Sequence, residues 1–153
     1  IQLLIVGEFY EPREKYDTMI SELGLTDRVT IVDQFIPNAE IKYYFSAADL
    51  IIQTYKTASQ SGVSQIAYHF ERPILVTNAG GLSEFVLDGQ TGYITEQDPE
   101  DIARSIVDYF ANHREEEFSH HMRLEKPKYS WKVFGDKIVA LFDQIQEIKS
   151  HGR

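Results

Sequence analysis

Five short apolar runs limit what this chain can fold into: Leu3–Val6, Val29–Val32, Leu50–Thr54, Ile74–Thr77 and, more weakly, Gly92–Thr95. Each is a few residues long, too short for a helix, and most are apolar at consecutive positions. Continuous apolarity is what a parallel strand covered on both faces requires. The stretches between them have helical spacing. Glu11–Leu23 puts Tyr16, Met19, Ile20 and Leu23 on one stripe and meets a stop at Gly24. Pro37-Asn38 opens a second helix, with Asn38 as N-cap and Ile41, Tyr44, Phe45 and Ala48 on one face. Gly62–Phe70 is a third, short and unusually uncharged, as a buried helix would be, and Leu82–Val86 is a short fourth. Pro99–Asn112 is a fifth, with Pro99 in the first turn and Ile102, Ile106, Val107 and Phe110 inward. Strand and helix alternate, so an α/β fold is expected: a doubly wound parallel sheet joined by right-handed crossovers.

Beyond residue 112 the pattern changes. Glu115–Arg123 is polar, and Pro127 interrupts. Trp131–Lys149 then forms a long helix with Val133, Phe134, Ile138, Leu141, Phe142 and Ile145 on one stripe, expected to pack on the sheet or against a further domain. The length of 153 residues fits one domain, read as a core over 1–112 and a C-terminal helical extension over 113–150. The chain opens on a fully apolar strand with no initiator Met, so a truncated start is expected.

Charge narrows the partners. Fifteen basic against 24 acidic residues give a net charge of -9, with no basic face for nucleic acid. A phosphate-bearing small ligand stays open, because backbone N–H groups hold phosphate without net positive charge. There is no cysteine, hence no disulfide and no thiolate zinc site, which favours a reducing cytosol. No apolar run approaches the roughly 18–20 residues of a membrane span. His113 and His120-His121 lie in a charged segment without a carboxylate at ligand spacing, so no metal site is expected.

In an open parallel sheet, ligands bind at the carboxyl ends of the strands. Four loops fall on that edge: Gly7–Tyr10, Asp33–Asn38, Tyr55–Ser61 and Asn78–Leu82. Thr57-Ala58-Ser59-Gln60-Ser61-Gly62 is small and polar and precedes an uncharged helix, which suits either an anion site built on backbone N–H groups or a plain N-capped loop. Asn78-Ala79-Gly80-Gly81-Leu82-Ser83-Glu84 repeats the arrangement, either letting a ligand approach the backbone or forming a tight turn. Lys56 and Arg72 are the basic residues nearest this edge, and each also reads as a surface charge.

These elements fall in a familiar order. Val6-Gly7, Ala48-Asp49 before Leu50–Ile52, and Ser61-Gly62-Val63 are followed by Pro73-Ile74-Leu75-Val76-Thr77, Gly80-Gly81-Leu82-Ser83-Glu84 and Asp88-Gly89-Gln90-Thr91-Gly92. Over roughly residues 1–110 the series resembles the C-terminal, nucleotide-sugar-binding domain of retaining glycosyltransferases of the GT-B fold, glycosyltransferase family 4. The long Trp131 helix fits too. The resemblance implies a Rossmann-like domain forming the second half of a GT-B fold, its first β-α unit lacking here.

The implied activity is transfer of a sugar from a nucleotide-diphospho-sugar to a glycan or lipid-linked acceptor, with retention and no obligatory metal or other cofactor. A bacterial-type, cytoplasmic enzyme of polysaccharide biosynthesis is expected, working at the inner face of the membrane through an N-terminal acceptor domain outside this chain. The fragment alone is expected to be inactive. Ser61, Gly62 and Val63 would present N–H groups to the diphosphate, flanked by Ser59 and Gln60. Gly80 and Gly81 would give the sugar room, with Glu84 nearby. Gly7 and Gln34 follow the first two strands, and Gln34 would border the base.

Three positions depart from the family. Members usually carry two glutamates with seven residues between them around the Gly-rich loop; here those positions hold Ala58 and Ile66. Gln60 or Gln65 would have to supply neutral hydrogen bonds instead. The glycine common after the second strand is Asp33. No catalytic residue is assigned. A non-catalytic nucleotide-sugar-binding domain is the alternative, as is a sugar-nucleotide epimerase of the same fold, whose loop Gln60-Ser61-Gly62-Val63 echoes without its acidic pair.

Overall fold

The computed structural model describes residues 1–151. Strands form where the apolar runs lie: β1 Leu3–Val6, β2 Val29–Val32, β3 Ile51–Gln53, β4 Ile74–Thr77 and β5 Gly92–Thr95. Helices alternate with them: α1 Glu14–Glu22, α2 Asn38–Ala47, α3 Gly62–His69 and α4 Pro99–Ala111. The chain then continues into α5 Glu115–Glu125, a 3-10 turn at Lys126–Tyr129, and α6 Trp131–His151. Among the described residues the ladders are parallel and form two sheets, β1-β2 and β3-β4-β5, with Ile5 opposite Ile31, Ile52 opposite Leu75 and Leu75 opposite Tyr93. The α/β class, the parallel strands and the C-terminal helices agree with the sequence reading. The chain forms two compact units, Ile1–Tyr44 and Phe45–Arg153.

In the first unit, α1 begins at Glu14 rather than Glu11. Glu11 precedes Pro12, whose ring disfavours helical backbone at the residue before it. The first bonds therefore run to the Arg13 carbonyl, from Tyr16 N at 2.9 Å and Asp17 N at 3.2 Å. The stop at Gly24 holds: its φ of 65° and the Leu25 N to Ile20 O bond of 2.9 Å close the helix. Asn38 is the first helical residue of α2 rather than its cap. The double-sided burial expected of β1 is not found. Leu3, Leu4 and Val6 are exposed; α1 has no buried residue, and among the described residues β1 pairs with β2 alone.

The second unit holds the core. All four residues of β4 are buried, and Ala67, Tyr68, Ala79, Leu82, Val86 and Met122 pack with Ile74 and Val76 of that strand. The fourth helix expected over Leu82–Val86 is a single 3-10 turn, Ser83–Phe85. On α4, Val107 faces solvent and Tyr109 is buried in its place. The Tyr109 hydroxyl donates to Asp49 O at 2.8 Å, and its ring lies 5.9 Å from that of Phe118. The polar Glu115–Arg123 segment is helical and buries Phe118 and Met122, four residues apart on one side. The apolar stripe of α6 does not pack on the sheet: Phe134, Ile138, Leu141, Phe142 and Ile145 are exposed. No helix among the described residues is long and apolar enough to cross a membrane.

Candidate functional site

The β3–α3 and β4 loops of the second unit are built against each other. After β3, Tyr55 O accepts a bond from the Thr77 hydroxyl at 2.6 Å, and Lys56 O accepts one from Gln97 Nε2 at 2.8 Å. Three residues on, Ser59 O accepts from Gly81 N at 3.0 Å. A Cβ on Gly80 would overlap the Ala58 carbonyl oxygen, and one on Gly81 would overlap that of Ser59. Gly80 also has a φ of 55°. The glycine pair thus accommodates the neighbouring loop of this same chain, a role the sequence did not reveal.

The loop ends at the N-terminus of α3. Ser61 takes the extended N-cap conformation, and its Oγ accepts from Val63 N at 3.2 Å. Val63, one of three residues expected to offer an N–H to phosphate, therefore has that group engaged by the cap. Among the described residues the N–H groups of Ser61 and Gly62 have no partner, and space beside the Gly62 Cα is open. Donors left free at a positive helix end suit an anion.

Beneath this turn, Gln53 and Ser64 are buried, and Gln53 Nε2 donates to Ser64 Oγ at 3.0 Å. The other face of α3 is fixed by Tyr68, whose hydroxyl donates to Phe85 O at 2.8 Å. Burial pushes the Tyr68 phenol well above its usual value. Gln60, Gln65 and Glu84 are exposed, and Ala58 and Ile66 are half-buried.

Asp-Gly-x-x-Gly proves to be a turn device. Asp88 Oδ1 accepts from Ile94 N at 2.9 Å, and Thr91 Oγ1 accepts from Leu87 N at 2.8 Å. A Cβ on Gly92 would overlap the Ile74 carbonyl. The motif delivers β5 to β4 and makes no part of the loop pair.

Gly7 and Gln34 lie in the first unit. Gly7 has a φ of 137° and donates to Val32 O at 3.1 Å; Gln34 is exposed. Asp33, where the family commonly has glycine, closes the loop after β1: its Oδ1 accepts from Phe9 N at 3.2 Å. The structure thus joins Ser59, Gln60, Ser61, Gly62 and Val63 to Gly80 and Gly81, with Glu84 on the following turn, and leaves Gly7 and Gln34 in the other unit.

Of the two cations named from the sequence, Arg72 precedes β4 and so sits at the amino edge. It donates to Ser46 O at 2.8 Å and pairs with Glu115 at 3.3 Å. Lys56 stays on the loop. Among the described residues no group of three or more His, Cys, Asp or Glu is placed to hold a metal.

A family profile described as glycosyl transferases group 1 matches residues 1–112. Among curated proteins, D-inositol 3-phosphate glycosyltransferase of Paenarthrobacter aurescens is 29% identical over 112 residues, which is 72% of this chain and 27% of that protein. Among solved structures, sucrose-phosphate synthase from Thermosynechococcus elongatus superposes with a TM-score of 0.79 at 24% identity, over 96% of this chain and 39% of that one. Anabaena HepE in complex with UDP gives 0.79 at 19% identity, over 94% and 41%. A glycosyltransferase from Rickettsia africae gives 0.80 at 17%, over 95% and 40%. These structural likenesses show the shared Rossmann-like fold, and the chain spans less than half the length of each of these relatives.

Proposed function

The chain belongs to the glycosyl transferases group 1 family, and from that premise we propose that it is the donor-binding domain of a glycosyltransferase using a nucleotide-diphospho-sugar. The observation that carries this reading is the open N-terminus of α3. Ser61 and Gly62 offer free N–H groups there, beside a loop held rigid by Gly80 and Gly81. Fixed N–H dipoles need no reorganisation to stabilise a departing diphosphate, the main electrostatic task of glycosyl transfer. Val63 joins them once a ligand oxygen replaces the Ser61 hydroxyl. The UDP complex of Anabaena HepE, a relative in fold, supports a nucleoside diphosphate as the ligand class.

On this reading the acceptor, a glycan or a lipid-linked molecule, is held by a partner domain of the longer polypeptide. The full protein transfers with retention and without an obligatory metal, in the cytoplasm against the inner membrane face, and the chain alone does not turn over. Calorimetric titration of the chain with UDP, GDP and ADP tests the donor site. Binding of one of them that Gly62→Asp abolishes is expected, because the new carboxylate would stand among the phosphate donors. Binding unchanged by Gly62→Asp would overturn the backbone cradle.

A second reading, a non-catalytic nucleotide-sugar-binding domain, is favoured by one observation: Ala58 and Ile66 carry no polar side chain at the loop. It predicts the same binding without transfer by the full-length protein.

A further inference from the structure

We propose that Lys56 is a donor-binding residue whose ammonium pairs with the diphosphate; this rests on the donor-binding reading above. Three observations lead to it. Between Phe45 and Ser130, every other lysine and arginine is spent in an ion pair. Arg72 is paired with Glu115, Arg104 with Asp101, Arg114 with Glu117, Arg123 and Lys126 with Glu71, and Lys128 with Glu125. Lys56 is exposed and, among the described residues, makes no ion pair.

The second observation is the surrounding charge. Residues 50–70 contain no Asp or Glu, in a chain that has 24 of them, and the second loop adds none before Glu84. The two loops themselves therefore carry one cation and no carboxylate before Glu84, on a protein of net charge -9; the nearest carboxylates in sequence to their anchor are Glu96 and Asp98, either side of Gln97. A phosphate approaching this loop pair meets backbone donors and an ammonium.

The third is where the lysine is anchored. Its own carbonyl is tied to Gln97 Nε2 at 2.8 Å, and the preceding carbonyl to the Thr77 hydroxyl at 2.6 Å. The Ser59–Gly81 bond fixes the loop between it and the cap. The backbone is held at the carboxyl edge of β4 and β5, on the same loop that ends at the α3 N-terminus, and the four-carbon stem is exposed. A compact point charge on a mobile stem can pair with either phosphate without a fixed geometry. Lys56 thus supplies the charge, and Ser61 and Gly62 the direction.

The test uses whichever of UDP, GDP and ADP binds the wild-type chain, together with its monophosphate and its nucleoside, at low and high salt. Lys56→Gln is expected to weaken the diphosphate about three- to tenfold, as loss of one partly exposed charge contact would. It should weaken the monophosphate less, leave the nucleoside unchanged and flatten the salt dependence. Lys56→Arg should keep affinity within about twofold. Lys137→Gln, which removes another exposed cation that makes no ion pair among the described residues, should change nothing. Diphosphate binding and salt dependence that survive Lys56→Gln would overturn the proposal while leaving the donor site standing. A folded wild-type chain that binds none of the three diphosphates would remove the donor reading and this proposal with it.

Discussion

The carbonyl oxygen of Ala58 occupies the space that a Cβ on Gly80 would need. Two loops on the β3–β4 edge are packed so closely that a hydrogen is the largest substituent position 80 accepts, and its φ of 55° adds to the requirement. A motif that reads as room for a ligand is, in the structure, room for the donor loop itself. The glycine pair sets where the α3 N-terminus stands.

Gly80→Ala therefore has a larger effect than its one added methyl suggests. The substitution combines an unfavourable positive φ, about 1 kcal/mol, with backbone overpacking of about 1–3 kcal/mol. Gly89→Ala is the control: its φ is 70°, but nothing lies within 4 Å of the added carbon. Urea unfolding should show a loss of about 2–4 kcal/mol for Gly80→Ala and about 1 kcal/mol for Gly89→Ala. Equal losses would mean that the loops yield without strain.

Ser61→Ala separates the cap from the cradle. Removing the hydroxyl releases Val63 N, at a cost of about 1 kcal/mol to the helix. It also frees one more donor for phosphate. A lower melting temperature with diphosphate affinity kept or raised is expected, whereas affinity lost in proportion to stability would make the hydroxyl itself a ligand contact.

Glu71 gives an acid-dependent stability. It occupies a left-handed C′ position, φ 57°, after α3, with Arg72 N bonded to Ala67 O at 2.9 Å, a place where glycine is usual. Two cations hold it there, Lys126 and Arg123, each at 3.0 Å. Their hydrogen bonds lower its carboxyl below the ordinary 4.5, Lys126 contributing most. A depressed folded value means stabilisation present above the unfolded value and lost as pH falls through the folded one. Glu71→Gln should thus cost about 1 kcal/mol or less at neutral pH. The gap from wild type, read as a difference in melting temperature, should close as the pH drops below about 4. A gap constant down to pH 3 would exclude the ion pairs as its source.

The strands were the easiest part to read, because unbroken apolar runs have few alternatives: β1, β2, β4 and β5 have the bounds their side chains suggest. Burial was harder. Val107 and Tyr109 exchanged roles because Tyr109 answers to Asp49 and Phe118, far away in sequence. Phe118 and Met122 sit among charges that hid a helix with one buried side. At the site, Ser61 as cap was legible from residue type alone. The tie between Gly80 and Ala58 was not, since a glycine pair next to a helix serves a ligand or a neighbouring backbone with the same two letters. Asp33 shows the same limit, for its bond to Phe9 N is set by the fold of a loop 24 residues away.

Gln53 carries the last prediction. Its strand position calls for an apolar side chain, yet it is buried with Nε2 on Ser64 Oγ at 3.0 Å and with Oε1 lacking a partner among the described residues. An amide held at one end only is costly, and losing its partner leaves both ends orphaned. Ser64→Ala alone should destabilise by about 1–3 kcal/mol. Gln53→Leu alone removes the orphan oxygen and leaves only a small hydroxyl to satisfy, so its loss should be smaller. With both substitutions the pair becomes apolar in place, and stability should return to within about 1 kcal/mol of wild type, a coupling that a double-mutant cycle measures directly. Because Ser64 stands in the first turn of α3, diphosphate affinity should follow the same order. Additive losses in the double variant would show that the two side chains act separately.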